Sequence, residues 1–504
     1  MTANQRLATA PHPTTSVLPG DPADSHNASH ALTQSSAPRT SWSLAKIMLI
    51  VVLCTVLALD GLDVSMVGVA LPSMGHELGL NTESLQWIVS GYVLGYGSLL
   101  LLGGRLADLL GRRKIFLIAL SIFALASLLG GLVNDPTLLI ATRFIKGLAA
   151  AFTAPTGFSI ITTNFAEGSE RNRAISIYST FGASGFSLGL VLGGLMTSLS
   201  WRWTFLVAVP VAVAAVLLGL RYIPRDKPST DGQHGHDIGG AVTLALGMLS
   251  LVYTVVSAPG VGWAAWQTIL GFAVSAVLLT TFALIEAKVR HPLIRFGILR
   301  QGWVARANLS IIGLFGSYLS FQFILTMYLQ NVLGWSPLGM ALALLPTGLI
   351  VVASSPFASA LIDRIGAVRL IIAGLASLSL GYLLFLHVGT SPNYALDLLP
   401  SVLLLGVGFA LAFPAINVQA TAGVHDDEQG LAAGLIQTSS QVGAALILAV
   451  TTAVVTGAQA GHGELGPARM LDTFRPGLIL SAVIALAALV VAAIPQRKAA
   501  REAR

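Results

Sequence analysis

The chain has 504 residues, of which 54% are hydrophobic and only 10% are charged, and its formal net charge is +6. Soluble domains carry about 25% charged residues, so this composition excludes a water-soluble protein as well as the disordered and fibrous classes, and the single cysteine excludes a disulfide-rich secreted one. At about 20 apolar residues per bilayer crossing, the composition suffices for a dozen or more helices of an all-α polytopic membrane protein.

The predicted elements, in chain order, are a tail and fourteen membrane spans. Residues 1–43 contain five prolines among serine, threonine, alanine and histidine, which predicts a disordered tail. Each of the fourteen long apolar runs that follow predicts a spanning helix, and their continuous rather than alternating pattern excludes a β-barrel. Spans 1 to 14 cover approximately 47–69, 85–104, 114–133, 137–160, 174–198, 203–221, 238–258, 265–286, 304–329, 337–361, 368–388, 395–418, 430–457 and 474–494.

The basic residues predict the orientation of these spans. If the first tail is cytoplasmic, 23 of the 28 lysines and arginines face the cytoplasm and 3 face outside, while Arg143 and Lys146 lie within span 4. Cytoplasmic loops of membrane proteins carry such an excess of positive charge. The sequence therefore predicts a membrane protein with both termini in the cytoplasm. The basic charge is explained by topology, and no nucleic-acid partner is expected.

An internal repeat predicts two related halves. The stretch GRLADLLGRRK (Gly104–Lys114) follows span 2, and SALIDRIGAVR (Ser359–Arg369) follows span 10, so that a shift of 255 residues superposes Asp108 on Asp363 and span 1 on span 9. Duplicated halves are typical of secondary transporters. The predicted domains are a cytoplasmic tail (1–43), an N-terminal six-helix bundle (44–222), a linker with two inserted helices (223–302), a C-terminal six-helix bundle (303–495) and a cytoplasmic tail (496–504).

Charged residues inside the spans are the main candidates for function. Asp60 and Asp63 are the only acids well inside a span, and their spacing places them on one helix face, as does that of Arg143 and Lys146. An ion at mid-bilayer costs about 2.5–3.5 kcal/mol. Asp60 is expected roughly 20 Å into the membrane, at a depth matching the two bases, so the acids and bases are expected partners. One interpretation is an ion pair that only holds the helices together. The other is a functional acid, whose proton affinity is changed by the nearby cation and by bound substrate.

Three further sets of residues are candidates for gating, helix packing and substrate contact. The stretch after span 2 predicts a gating latch, or else a basic loop that only sets topology; its residues are Gly104, Asp108, Gly111, Arg112 and Arg113. Small residues four apart in span 5 predict close helix packing, and this packing surface either only joins helices or also seals one side of a transport path. Its residues are Gly185, Gly189 and Gly193, with Gly194. Six polar residues in the spans are candidates for lining a substrate cavity, and the alternative is that they only anchor the helices at the interface or bond one helix to another. They are Tyr92, Tyr318, Gln322, Asn417, Gln437 and Gln441.

Several chemistries lack their motif in this sequence. There is no GxxxxGK[ST] phosphate loop, no HExxH motif and no His/Cys spacing typical of a metal site. A nucleophile with a nearby base is also missing. The chain is therefore expected to be no enzyme, to bind no metal or cofactor, and not to be driven directly by ATP.

These residues resemble the major facilitator superfamily, and within it the fourteen-span drug–proton antiporter branch. The resemblance rests on LDVSMVGVALP (Leu62–Pro72), QWIVSGYVL (Gln86–Leu94), GRLADLLGRRK, Arg143 with Gly147, and WRWTFLVAVP (Trp201–Pro210). It implies the major facilitator fold, with Asp63 as the signature acid, Arg143 in proton coupling and the loop motif as a gate. Leu190 occupies the proline position of the family's helix-5 motif, so the kink that this proline would cause is left open, and Asp60 is an addition to the signature.

The resulting expectation is a monomeric secondary transporter of the bacterial cytoplasmic (inner) membrane, driven by a proton gradient. It is expected to export hydrophobic or amphipathic drugs or antibiotics, some of them cationic, in exchange for protons. Asp63 is expected to take a proton from outside, with Arg143 holding it ionised until a proton or substrate arrives. Asp108 would latch the inward gate, and Asp60 would attract a cationic substrate. The alternatives are a proton-coupled transporter of one specific metabolite and a non-transporting sensor or partner subunit with a transporter fold.

Overall fold

Fourteen helical segments make up the part of the protein that the computed structural model describes, which comprises residues 42–166, 169–225, 238–289, 301–422, 424, 429–459 and 466–494. Within those residues there is no strand, so the all-α prediction is confirmed. The helices are α1 (Leu44–Leu78), α2 (Thr82–Leu110), α3 (Arg112–Leu132), α4 (Pro136–Asn164), α5 (Ser169–Leu199), α6 (Trp203–Tyr222), α7 (Ile238–Val261), α8 (Trp266–Glu286), α9 (Gly302–Val332), α10 (Pro337–Ile365), α11 (Ala367–Phe385), α12 (Tyr394–Thr421), α13 (Gln429–Gln459) and α14 (Pro467–Ala493).

Thirteen of these helices, counted over the described residues, are long and apolar enough to cross a membrane. The remaining helix, α2, coincides with predicted span 2. Each of the fourteen predicted spans thus corresponds to one helix. Most of the helices extend beyond the predicted apolar run by several residues. Most of the tail 1–43 and all of the tail 496–504 lie outside the described residues.

The packing of the helices follows the internal repeat. Helices α1 to α6 pack chiefly on one another, as do α9 to α14, while α7 and α8 form a pair whose first member contacts α2 and α13. The two sets of six meet where α2 packs on α13 and α5 packs on α10. A shift of 255 residues carries α2 onto α10 and α5 onto α13, so the repeat exchanges these two contacts. The boundaries of the halves at residues 222 and 302 remain predictions.

Two glycines show the same repeat in the backbone. Gly111 separates α2 from α3 at φ = 100°, and Gly366 separates α10 from α11 at φ = 91°, a region that favours glycine. Their N–H groups donate to the carbonyls of Ala107 at 3.1 Å and Ile362 at 2.8 Å, respectively. Both pairs are related by the 255-residue shift. The repeated stretches therefore form the same helix–turn–helix corner in each half.

The glycines of α5 allow its backbone to approach α1 closely. A Cβ built on Gly185 would lie 2.5 Å from the Ala58 carbonyl oxygen, and one built on Gly193 would lie 2.7 Å from Met66 Cα. Gly194 faces the other way, since its Cβ would lie 2.6 Å from Ala341 Cβ of α10. The stripe thus packs within the first set of helices, and its last glycine contacts the second set. Helix α5 runs through the buried Leu190 without interruption.

Adding a methyl group to this stripe is expected to destabilise the protein. The Cβ of Gly189→Ala would lie 2.8 Å from the Cα and carbonyl oxygen of Leu62, and such overpacking costs about 1–3 kcal/mol. We expect a lower melting temperature in scanning fluorimetry of the purified protein. The control is Gly457→Ala on α13, which is exposed with nothing within 4 Å of the new methyl group. Equal melting temperatures for the two variants would contradict close α1–α5 packing.

Candidate functional site

The candidate site is a charge cluster buried among the first six helices. Asp63 on α1 accepts a hydrogen bond from Arg143 through one carboxylate oxygen and from Lys146 through the other. Asp63 is 2% exposed, Arg143 1% and Lys146 0%. The two bases are three residues apart on α4 and therefore reach the same carboxylate. The structure brings together three of the four charged residues that the sequence analysis singled out.

Arg143 connects three helices. Besides its bond to Asp63, its Nε donates to the Ile88 carbonyl of α2 at 3.1 Å, and its guanidinium lies 4.6 Å from the centre of the Tyr92 ring. Ile88 and Tyr92 are four residues apart, so one face of α2 supplies both contacts. A planar guanidinium can bond at its edge and stack on its face at once, whereas a lysine ammonium cannot. Arg143 is thus placed to transmit a change at Asp63 to α2.

Lys146 is enclosed by aromatic rings. Its ammonium lies 4.7 Å from the centre of the Phe123 ring on α3 and 5.1 Å from that of Phe205 on α6. Both distances are within the range of a cation–π interaction. The sequence analysis placed Lys146 beside Arg143 but did not include it among the coupling residues, since the family motif contains only the arginine. Its i, i+3 spacing from Arg143 was the available signal.

Asp60 lies one turn along α1 from Asp63 and has a different environment. It is 7% exposed, and its Oδ2 lies 3.4 Å from the Thr153 hydroxyl of α4, which also lies 3.1 Å from the Ala150 carbonyl oxygen. In the described part of the chain no lysine, arginine or histidine nitrogen lies within 4.0 Å of its carboxylate. The expected pairing of two acids with two bases is therefore wrong for Asp60, because the register of α4 directs both bases to Asp63.

The predicted gating stretch forms the corner between α2 and α3. Gly111 supplies the turn, and Arg113 Nη2 donates to the Leu220 carbonyl at 2.5 Å, near the end of α6. Arg112 begins α3 and is half-buried. Gly104 lies within α2, and the side chain of Asp108 lies outside the described part of the structure, so the latch at Asp108 stays a prediction.

The end of the bundle at which α1 and α5 begin carries an ion pair. Lys46 donates to Glu170 Oε1 at 2.6 Å, and this hydrogen bond lowers the pKa of Glu170 below its ordinary value. The pair stabilises the protein above the ordinary pKa of a glutamate and stops doing so as the pH falls through the lowered one. It joins two helices that the glycine stripe also joins, and it does not take part in the buried cluster.

The six predicted cavity residues are distributed over α2, α9, α12 and α13. Tyr92 lies in the charge cluster under Arg143. Tyr318 packs on Phe186 and Phe409, and Asn417 donates to the Phe413 carbonyl of its own helix. Gln437 and Gln441 are half-buried on α13, where Gly97 of α2 would place a Cβ 3.0 Å from Gln441 Cβ. A role of these residues in substrate contact remains a prediction.

Gln322 lines a small cavity between the two sets of helices, close to the charge cluster. Its volume is about 20 Å³, and Ser65 and Gly68 of α1, Phe186 of α5 and Phe323 of α9 also line it. Ser65 is two residues beyond Asp63 on the same helix. A molecule held here would therefore contact the helix that carries the buried acid.

A larger cavity of about 390 Å³ opens at the end of the bundle where α1 ends and α2 begins. Its polar lining residues come from both sets of helices and are His76, Asn81, Thr82, Asn331, Thr456 and Gln459. Among the described residues at this end, hydrogen bonds join the two sets: Gln330 donates to the Val69 carbonyl at 2.8 Å, and Thr82 donates to Gln459 at 3.5 Å. The sequence analysis missed this cavity, because helix ends distant in the chain form it without a motif.

The comparisons with known proteins agree with this architecture. A family model described as the Major Facilitator Superfamily matches residues 53–448, which include the whole charge cluster. The chain is 37% identical to the puromycin resistance protein pur8 of Streptomyces alboniger, over 92% of each chain. It is 34% identical to the cephamycin export protein CmcT of Amycolatopsis lactamdurans, over 90% of this chain and 93% of that one. The crystal structure of the nucleoside transporter NupG shares the fold at a TM-score of 0.62 with 15% identity, over 90% of this chain and 100% of that one.

Proposed function

Because the chain belongs to the Major Facilitator Superfamily, we propose that it exports hydrophobic or amphipathic drugs or antibiotics in exchange for protons. It is a multi-pass membrane transporter of that superfamily and not an enzyme. The similarity to pur8, a puromycin resistance protein, and to CmcT, a cephamycin export protein, supports an antibiotic as the substrate. The proposal places the protein in the bacterial cytoplasmic membrane as a monomer with both termini in the cytoplasm.

The single observation on which the proposed proton coupling rests is that Arg143 and Lys146 both donate hydrogen bonds to the buried carboxylate of Asp63. A buried ion is retained in a membrane helix where it serves transport or binds a partner. When Asp63 takes a proton, its negative charge is lost and the attraction of both cations for it weakens. Arg143 also bonds Ile88 and stacks on Tyr92, so this change reaches α2.

The position of the small cavity supports coupling between proton and substrate. Ser65 lines that cavity and follows Asp63 by two residues on α1, and Gln322 faces it from α9. Exchange requires that substrate and proton favour different conformations, since a ligand shifts an equilibrium only through its differential affinity. A substrate that separates α1 from α9 here would disturb the helix on which Asp63 is held. In the proposed cycle, the hydrogen bond from Gln330 to Val69 breaks when the bundle opens to the outside, at the end where α1 ends. Asp108 then holds the cytoplasmic end closed.

Transport by the reconstituted protein tests this proposal. Liposomes containing the purified protein are loaded with one compound of a panel that includes puromycin, a cephamycin and several unrelated amphipathic cations. A pH gradient is then imposed, and both compound and internal pH are followed. We expect several compounds to move against their own concentration gradients while protons cross the membrane in the opposite direction. Movement of one compound alone would favour the specific-metabolite alternative, and movement of none would favour a sensor or partner subunit.

A further inference from the structure

We propose that Asp60 is a second proton-binding carboxyl and that Lys146 exchanges its partner between Asp63 and Asp60, so that the two acids pass protons across the first set of helices. This inference rests on the proposed proton exchange at Asp63 and adds the path by which the proton leaves. Asp60 is not required for that exchange to exist, so the two proposals can fail separately.

The different partners of the two acids carry the proposal. Both oxygens of Asp63 accept hydrogen bonds from cations, whereas the polar partner of Asp60 in the described part of the chain is the neutral hydroxyl of Thr153. An ionised carboxylate that is buried without a cation is strongly disfavoured. A protonated carboxyl is neutral and accepts a hydroxyl hydrogen bond as well as donating one. In this conformation Asp60 therefore holds a proton while Asp63 is ionised.

Lys146 is placed to serve either acid. Asp60 and Asp63 are one helical turn apart, about 4.5 Å along α1. Thr153, the partner of Asp60, lies on the same face of α4 as Lys146, seven residues further along. The helices are antiparallel, so Lys146 is level with Asp63 and Thr153 lies on the Asp60 side. A lysine ammonium sits on a flexible four-carbon stem, whereas the guanidinium of Arg143 is fixed by Ile88 and Tyr92.

The charged and titratable groups around Asp60 favour this exchange. They are Asp63 on α1, Lys146 on α4, Tyr92 and Tyr96 on α2, and Tyr178 on α5, while Arg143 bonds Asp63. The Tyr178 hydroxyl already donates to the Ala154 carbonyl at 3.0 Å, and tyrosines stay neutral at physiological pH. Lys146 is therefore the movable cation of this group.

Charge is conserved in the proposed step. A proton from outside binds the Asp63 carboxylate, Lys146 leaves Asp63 for Asp60, and Asp60 gives its proton to water on the cytoplasmic side. Before and after the step one carboxyl is ionised, one is protonated, and both bases are charged. No additional charge is buried, so the step avoids the cost of creating an ion inside the membrane. The result is the inward movement of one proton.

Infrared spectroscopy of the reconstituted protein without substrate tests this inference. The carbonyl-stretch band of a protonated carboxylic acid is expected in the wild type at neutral pH and is expected to be absent in Asp60→Asn. The band is also expected to be lost in Asp63→Asn, because this variant frees Lys146 to pair with Asp60 and ionise it. In the double variant Asp63→Asn/Lys146→Met the band is expected to return, since Lys146 is no longer present to pair with Asp60.

Each outcome decides one part of the inference. A wild-type band that persists in Asp60→Asn would show that Asp60 holds no proton, and a band that persists in Asp63→Asn would exclude the exchange of Lys146. Size-exclusion chromatography establishes that each variant is folded, and Asp60→Glu, which keeps the carboxyl, is expected to keep the band. If Asp63→Asn still exports drugs with proton exchange, the proposed role of Asp63 in that exchange fails whatever the band does. If Asp63→Asn no longer exports drugs but keeps the band, only the present inference fails.

Discussion

Asp63→Asn is expected to abolish drug export driven by a pH gradient while the protein still binds drug. The amide has nearly the size of the carboxyl and its oxygen accepts a hydrogen bond from Arg143, but it can neither bind nor release a proton. The difference in proton affinity that drives exchange is then gone. We expect no uphill drug movement in proteoliposomes, whereas exchange of labelled for unlabelled drug continues. Drug binding, followed by tryptophan fluorescence, is expected to persist.

A matched control for this variant exists on the surface. Asp472 on α14 pairs with Arg475 at 3.2 Å, and its side chain is 65% exposed. Asp472→Asn makes the same chemical change in an acid–arginine pair that is solvated and therefore contributes little. Export at the wild-type rate is expected for this control. If Asp63→Asn exported drug as fast as Asp472→Asn does, the buried acid would have no part in coupling.

The helical layout was largely predictable because its signal is local. An apolar run of about 20 residues has few alternatives to a spanning helix, and such runs do not depend on contacts elsewhere in the chain. The corners at Gly111 and Gly366 were predictable for the same reason, since a glycine at the matching position of both repeated stretches, between two spans, indicates a turn that favours positive φ. The irregular ends of α9 and α12, where the helix widens at Tyr328–Val332 and Tyr394–Leu398, have no comparable sequence signal.

The charge cluster was only partly predictable. Spacing along one helix shows that Asp60 shares a face with Asp63 and that Arg143 shares one with Lys146. It does not show how the two faces are rotated and shifted against each other. That rotation gives Asp63 both bases and leaves Asp60 to Thr153. A difference of one turn in the depth of α4 would have reversed the assignment, and such a shift is set by packing of the whole bundle.

Contacts made by residues far apart in the chain could not be predicted. Phe123 and Phe205 cover Lys146 from two other helices, and neither belongs to a pattern that indicates a cation partner. The larger cavity likewise combines Thr82 on α2 with Gln459 on α13 across 377 positions. Only the relative placement of the two halves creates these neighbours. The sequence repeat predicts that the halves are related but not which polar ends meet.

Arg143→Met is expected to stop transport and to lower stability more than its loss of packing explains. Breaking a buried ion pair costs about 3–5 kcal/mol, and here the bond to the Ile88 carbonyl and the stacking on Tyr92 are lost as well. Arg143→Lys keeps the charge but cannot make both contacts, so it too is expected to impair export. The measurement is drug export in proteoliposomes together with the melting temperature in scanning fluorimetry.

The double variant Asp63→Asn/Arg143→Met separates coupling within the pair from general damage. Removing both partners leaves Lys146 with Asp60 as a new counter-ion and strands no additional charge. The decrease in melting temperature is therefore expected to be smaller than the sum for the two single variants, as for residues in direct contact. Export is expected to be absent in all three variants, because a restored fold does not restore the exchangeable proton. Strictly additive losses would show that Arg143 and Asp63 do not stabilise each other in the folded protein, which would contradict the buried contact between them.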